Sequence, residues 1–146
     1  MTTNEKIEKL RALMRERGID IYLIPTDDFH SSEYVGAHFK ARSFMTGFTG
    51  SAGTAVITLD EAHLWADGRY FVQAAKQISD SEVILERMGE PGVPEGVEFI
   101  EKHFPEGGCL GFDGRCVSAK NAAKYFDIAR DKNGELFTTE DLVDTI

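Results

Sequence analysis

Side chains able to do chemistry are densest in a polar segment that follows the first apolar run of the chain. Asp27, Asp28, His30 and Glu33 stand close together within residues 26–40. Their carboxylate oxygens and one imidazole could hold a divalent cation. The same residue types more often form a solvated loop that bonds to its own backbone, so we predict no metal ion here. A polar loop after a strand is where α/β folds place their sites, which makes this segment a candidate site.

A glycine-rich turn, GFTGSAG at residues 47–53, is the second stretch to consider. It lacks the Gly-Lys-Ser/Thr ending of a P-loop, and a strand-like run follows it where a dinucleotide-binding loop requires a helix. Ser51 does not fit the GxSxG pattern of a nucleophile elbow, because position 49 is Thr. We therefore interpret these glycines as a turn that uses positive φ angles or a close approach of the backbone.

A third group, Asp67, Arg69 and Tyr70, stands where a helix is predicted to begin. Asp67 is expected to cap that helix by accepting a hydrogen bond from the Tyr70 amide, a contact worth ~1 kcal/mol. Arg69 could pair with a nearby acid or point outward, and an exposed pair of this kind contributes little. No carboxylates have a spacing that specifies an acid/base pair, and the four histidines are dispersed without an HExxH motif.

The elements that must position these groups alternate between strand and helix. Apolar, β-branched runs predict strands at residues 19–24, 54–59, 62–66, 82–88, 109–112 and 136–137. Helices are predicted at residues 2–17 and from residues 68, 94, 118 and 138 onward, with a short helix from Ser31 as a further option. This alternation predicts a single α/β domain with a sheet of five or six strands flanked by helices. The hairpin at residues 54–66 makes that sheet mixed.

Caps and breakers set the expected bounds of these elements. Thr2 and Glu5 have the spacing of a capping box, and Gly18 is expected to close the first helix in the left-handed conformation. Pro25 is expected to stop the first strand. A second capping box at residues 138–141 opens a helix that the sequence leaves short at Ile146, the pattern expected of a chain trimmed at a domain boundary.

Apolar spacing predicts the buried face of three helices. These faces are Phe71, Ala74, Ala75 and Ile78 in one helix, Val97, Ile100 and Phe104 in the next, and Ala119, Ala122, Ala123 and Phe126 in the third.

Composition limits the partners of this 146-residue chain. Its net charge of −9 disfavours nucleic acid and anionic membrane surfaces. No apolar run approaches the roughly 18 residues of a membrane span, and the N-terminus lacks a signal peptide, so we expect a cytoplasmic protein. Cys109 and Cys116 match neither a zinc site nor a CxxC motif and are expected to be reduced thiols.

The motifs GFTGSAGTAVIT and WADGRYFVQAAKQ together resemble the N-terminal domain of Xaa-Pro aminopeptidases (aminopeptidase P), a non-catalytic domain shared with creatinase and prolidase. The similarity extends upstream through residues 24–34 and downstream to GFD at residues 111–113 and EDLVD at residues 140–144. It implies that residues 1–146 form one creatinase-type N-terminal domain with a ribonuclease-H-like core. The closing residues are similar to the long, three-domain type of aminopeptidase P.

The resemblance also implies a function. Family enzymes remove an N-terminal residue that precedes proline, with two divalent metal ions, usually manganese, held in a C-terminal "pita-bread" domain that this chain does not contain. The N-terminal domain would wall the active-site cleft, contact its own catalytic domain and help to build a homodimer. The positions matched to the family that would lie near substrate are His30, Ser32, Glu33, Tyr34, Asp67, Arg69 and Tyr70.

Two of these roles can be stated more closely. Arg69 could hold a substrate carboxylate or a backbone carbonyl, and Asp28 or Glu33 could meet the substrate amine. Two alternatives stay open: the N-terminal domain of a prolidase or creatinase-like enzyme, and a free-standing interaction module.

Overall fold

The computed structural model describes residues 2–26, 42–49, 53–113, 119–138 and 142–146. Its strands are β1 (Ile21–Thr26), β2 (Gly53–Thr58), β3 (Ala62–Ala66), β4 (Ile84–Arg87), β5 (Cys109–Gly111) and β6 (Glu135–Phe137). Its helices are α1 (Thr3–Arg17), α2 (Phe71–Gln77), α3 (Gly96–His103), α4 (Ala119–Asp131) and α5 (Leu142–Thr145), with a 3₁₀ turn at Gly68–Tyr70. Residues 42–46 are also helical.

The six strands form one mixed sheet in the order β4-β3-β2-β1-β5-β6. β1, β2 and β3 pair in antiparallel fashion, and β4, β5 and β6 each run parallel to their inner neighbour. The sequence therefore predicted the strand number, the hairpin and the mixed character of the sheet correctly.

Alternating side chains divide the interior into two cores. On β1, Tyr22 and Ile24 face the core covered by α1, whereas Ile21 and Leu23 face the core covered by α3 and α4. The first core, which also receives α2 and α5, is called here the α1 core, and the second the Trp65 core. Because both faces are covered, β1 reads as a continuous apolar run rather than as an alternating pattern.

Helix α1 has both of its predicted caps. Thr2 and Glu5 form the two bonds of a capping box, and Gly18 has a φ of 72°. Arg11 anchors the helix to the sheet, since its buried guanidinium donates to the Thr58 carbonyl at 2.9 Å and pairs with Glu82 at 2.6 Å.

Two expectations about these elements were wrong. Pro25 does not stop β1, because its backbone pairs with Thr54 and the strand continues to Thr26. Among the described residues, β5 pairs with β1 only at Ile21 and Tyr22, so β2 is the one described strand beside Pro25 and the missing N–H is tolerated there.

The second error concerns α4, whose buried residues are Tyr125, Ile128 and Ala129, whereas Phe126 is 56% exposed. α3 also buries Phe99 beside Ile100, a position that the spacing did not indicate. Ser31, Cys116 and residues 139–141 lie outside the described residues.

Across the described ranges, no helix is long and apolar enough to cross a membrane.

Candidate functional site

One edge of the sheet brings together the ends of the segments that the sequence marked as candidates. Thr26, at the end of β1, pairs with Gly53, and the next residue of β2 pairs with Trp65 near the end of β3. The polar segment therefore leaves β1 at the edge where β3 runs into Asp67. Asp28, His30, Ser32, Glu33 and Tyr34 themselves lie outside the described residues, and their positions stay a prediction.

Asp67 and Arg69 form a two-pronged ion pair at this edge. Asp67 Oδ1 accepts from the Arg69 backbone N–H at 3.0 Å and from Arg69 Nε at 3.2 Å, while Oδ2 accepts from Arg69 Nη2 at 2.9 Å. The Arg69 side chain remains 69% exposed. Hydrogen bonding from Arg69 holds the pKa of the Asp67 carboxyl below its usual value.

The expected partner of the Asp67 cap was wrong. The Tyr70 amide donates to the Asp67 backbone carbonyl at 2.9 Å, and the Asp67 side chain takes the Arg69 amide instead. The reason is that residues 68–70 form a 3₁₀ turn, in which the amide three residues on bonds to the carbonyl.

Arg42 lies near Tyr70 of this turn, although nothing in the sequence singled it out. Its side chain is 0% exposed, its Cζ lies 4.8 Å from the centre of the Phe48 ring, and its Nη1 donates to the Gly53 carbonyl at 3.4 Å. Phe48 in turn meets the edge of Tyr70 with ring centres 5.8 Å apart. Burial lowers the pKa of Arg42 to about 10, and the nearby Tyr70 opposes that shift.

The first part of the glycine-rich turn is held against helix α2. Gly47 has a φ of 80°, which glycine adopts without strain, as predicted for this turn. The Thr49 amide donates to Gln77 Oε1 at 3.0 Å, and the Thr49 hydroxyl accepts from Gln73 at 3.1 Å and from Gln77 at 3.0 Å. Thr49, in the described first part of the turn, is therefore tied to the helix that follows the Asp67–Tyr70 turn.

A second polar cluster lies in contact with the Trp65 core. His63 is 5% exposed, with Nε2 2.7 Å from Glu61 and Nδ1 3.1 Å from Glu86. Phe99 stacks on His103 and contacts His63 in a tilted arrangement, with ring centres 4.0 and 4.5 Å away. The bond to His63 lowers the pKa of the Glu61 carboxyl. Sequence analysis assigned these histidines no role, because the spacing does not show that Glu86 and Phe99 lie beside His63.

An open cavity of about 360 Å³ adjoins the Trp65 core near the same edge of the sheet. Its walls include Leu23, Trp65, Met88, Val97 and Tyr125. The indole N–H of Trp65 donates to the Pro94 carbonyl at 2.9 Å, which fixes the orientation of that wall.

Among the described residues, no group of three or more His, Cys, Asp or Glu side chains is arranged to hold a metal ion. The described residues therefore offer no site for the two metal ions that the family resemblance places in a separate C-terminal domain.

The sequence model of the family described as Creatinase/Prolidase N-terminal domain matches residues 6–146. Aminopeptidase P2 of Arabidopsis thaliana is 44% identical over 138 residues, which are 93% of this chain and 19% of that protein. A probable Xaa-Pro aminopeptidase P of Coccidioides posadasii is 41% identical over 145 residues, 99% of this chain and 24% of that protein. The chain thus spans 19% and 24% of the length of these two curated relatives.

Solved structures share the fold. An X-prolyl aminopeptidase from Caenorhabditis elegans, described as a cytosolic enzyme with a di-nuclear active site, superposes with a TM-score of 0.85 at 28% identity, over 100% of this chain and 25% of that chain. The N-terminal domain of the cytoplasmic peptidase PepQ from Mycobacterium tuberculosis gives a TM-score of 0.67 at 28% identity, over 97% of this chain and 98% of that chain. With a family match from residue 6 to residue 146 and relatives above 40% identity, this chain belongs to the creatinase/prolidase N-terminal domain family.

Proposed function

We propose that this chain is the non-catalytic N-terminal domain of a metal-dependent Xaa-Pro aminopeptidase, an enzyme that removes the N-terminal residue preceding proline. The observation that carries the proposal is the pattern of coverage. Relatives named aminopeptidase P match 93–99% of this chain, and the match accounts for 19–24% of their own length. The remaining length of such relatives is where we place the reaction.

Two divalent metal ions, which we propose to be manganese, would be held by the C-terminal catalytic domain of the full-length enzyme, here called the parent. The di-nuclear active site named for the Caenorhabditis elegans enzyme supports a centre of this kind. A metal pair would activate water for attack on the scissile carbonyl. No residue of this chain is assigned to that step.

Within the parent, this domain would shape access to the catalytic centre. The Asp67–Arg69 pair supports this role because it is exposed at the sheet edge where the polar segment leaves β1. A bidentate guanidinium is suited to hold a peptide carbonyl or carboxylate. Asp28, His30, Ser32, Glu33, Tyr34 and Tyr70 complete the proposed substrate-proximal set.

We further propose that the parent is a cytoplasmic homodimer. The cytosolic description of the Caenorhabditis elegans relative supports the location. Val72, on α2, is 85% exposed in the isolated domain, and we place a contact with other protein there.

The decisive experiment compares this 146-residue chain with the full-length product of its gene. Both are assayed with manganese on a dipeptide and on longer peptides that carry proline in the second position. We expect cleavage by the full-length product and none by the chain alone. Cleavage of the dipeptide alone would transfer the proposal to a prolidase, and cleavage by the isolated chain would overturn the non-catalytic assignment.

Arg69→Ala in the full-length enzyme tests the role in substrate access. We expect KM for longer peptides to rise while the fold is retained, because the removed pair is exposed. Arg130→Ala is the matched control, since Arg130 forms a comparable surface pair with Asp127 at 3.3 Å on α4. Equal KM values for the two variants would remove Arg69 from the proposed site.

A further inference from the structure

We propose that Arg42 is a positioning residue, which orients the Asp67–Tyr70 turn through the rings of Phe48 and Tyr70. The inference rests on the proposed function, because it makes Arg42 responsible for the geometry of the substrate-proximal turn. Arg42 itself is fully buried and would act without touching substrate.

The contacts form a continuous series from the cation to the turn. The Arg42 guanidinium faces the Phe48 ring at 4.8 Å, a distance at which a cation is attracted to the π face. Phe48, which is also 0% exposed, meets Tyr70 in an edge-on arrangement at 5.8 Å and 74°. The buried cation therefore contacts the Phe48 ring, and that ring contacts Tyr70, which links Arg42 to the turn.

The first two members of this series have little room to reorient. A Cβ placed on Gly53 would lie 3.1 Å from Arg42 Nη1 and 3.1 Å from Phe48 Cε2, so the glycine admits both groups against its backbone. The Thr46 hydroxyl donates to the Arg42 carbonyl at 2.8 Å and accepts from the Phe48 amide at 3.1 Å. The backbone that carries the cation and the ring is therefore locked by hydrogen bonds.

Arg42 places a positive charge in a buried position, against the Phe48 ring. Removing a cation from water is unfavourable, and a methionine would fill a similar volume without that cost. Burial lowers the pKa of Arg42 to about 10, so the guanidinium stays charged at neutral pH. The charge lies over the ring that contacts Tyr70.

The test uses Arg42→Met and Arg42→Lys in the full-length gene product, with Arg11→Met as the matched control. Arg11 is a second buried arginine, 3% exposed, that anchors α1 through Thr58 and Glu82. For peptides longer than two residues, we expect Arg42→Met to raise KM by a factor of about 5 to 30 with little change in kcat. Arg42→Lys, which restores a cation over the ring, should return KM most of the way to the wild-type value.

Phe48→Leu is the second variant, for the case that Arg42→Met does not fold. It removes the middle ring and keeps the cation, and it should reproduce the rise in KM. Arg11→Met should leave KM unchanged despite its loss of stability. Equal KM effects from Arg11→Met and Arg42→Met, or no effect of Phe48→Leu, would overturn the assignment.

A structural readout separates this inference from the proposed function. Nitration of Tyr70 by tetranitromethane is measured by peptide mapping, with the buried Tyr22 as internal reference. We expect faster nitration of Tyr70 in Arg42→Met and Phe48→Leu than in Arg11→Met. If the wild-type product does not cleave Xaa-Pro bonds, the proposed function fails, and the nitration rates alone decide whether Arg42 positions the turn. Equal rates of Tyr70 nitration in all variants would refute the positioning role.

Discussion

Gly134→Ala provides a sharp test of the packing between the turn that precedes β5 and the turn that precedes β6. A Cβ at Gly134 would overlap the carbonyl oxygen of Gly108 and lie 2.6 and 2.9 Å from two carbons of the Phe104 ring. Moving the backbone at Gly134 away from these atoms would strain two hydrogen bonds. The Gly134 amide donates to the Ala129 carbonyl at 2.7 Å, and the Glu135 amide donates to the Gly108 carbonyl at 2.9 Å.

The size of the effect follows from these contacts. Overpacking a filled site costs about 1–3 kcal/mol, and loosening one of the two hydrogen bonds adds about 1 kcal/mol. We therefore expect the free energy of unfolding to fall by about 3 kcal/mol. At roughly 3 °C per kcal/mol for a chain of this length, the Tm should drop by about 10 °C.

Urea unfolding followed by tryptophan fluorescence measures this change, because the chain has one tryptophan and Trp65 is 2% exposed in the folded state. Gly96→Ala is the control. Gly96 begins α3, and among the described residues nothing lies within 4 Å of a Cβ placed there. This variant should be neutral or stabilised by up to about 0.5 kcal/mol. The packing described for Gly134 would be refuted if its alanine variant lost less than about 1 kcal/mol.

Three further predictions concern charge and ionisation. Asp67→Asn should reduce the amount by which the free energy of unfolding rises with pH in the acid range. Because the pKa of Asp67 is lowered in the folded state, its carboxylate stabilises the fold at pH values above the pKa of the unfolded state, and this stability is lost as pH falls through the folded pKa. Acid unfolding curves that are the same for the variant and the wild type would contradict this. Burial raises the pKa of the Cys109 thiol to about 11, so Cys109 should resist a disulfide reagent at pH 8 until urea unfolds the chain. The free energy of unfolding should also fall between about pH 9 and 11, because the thiol of the unfolded chain ionises before that of the folded chain. Rapid labelling of Cys109 in the folded state, located by mass spectrometry, would disprove the burial. Glu82→Gln should cost about 1 kcal/mol in urea unfolding, because Glu82 is partly exposed and pairs with the buried Arg11 at 2.6 Å, and a neutral result would show that this pair does not anchor α1.

Local patterns predicted most of the fold. The capping box at Thr2 and Glu5, the left-handed Gly18 and the β2–β3 hairpin depend on neighbours within a few residues, and all three were confirmed. The mixed sheet followed from one hairpin placed among alternating helices and strands.

Features that depend on distant partners were not predictable in the same way. Helix α4 has two apolar stripes, one that ends at Phe126 and one that contains Tyr125 and Ile128. The second stripe is buried because it packs against the Trp65 core, which the helix sequence alone does not reveal. The sequence predicts a stop at Pro25 because it does not reveal that β5 pairs with β1 only at Ile21 and Tyr22.

The candidate site shows the same limit. Asp67, Arg69 and Tyr70 were predicted as candidates from their adjacent positions and their motif, and their role stays a prediction. Arg42 was missed, because no spacing distinguishes an arginine that lies under an aromatic ring from one on the surface.

The junction between β1 and β5 joins two unequal parts of the sheet. Six residue pairs link β1 to β2, but two link β1 to β5, beside a bond between the Cys109 amide and Asp20, 89 positions away in the chain. Closing so long a loop for so few ladder bonds is entropically demanding. The β5–β6 pair should therefore join the sheet late during folding, and its amides should exchange with deuterated solvent sooner than those of the β1–β2–β3 meander.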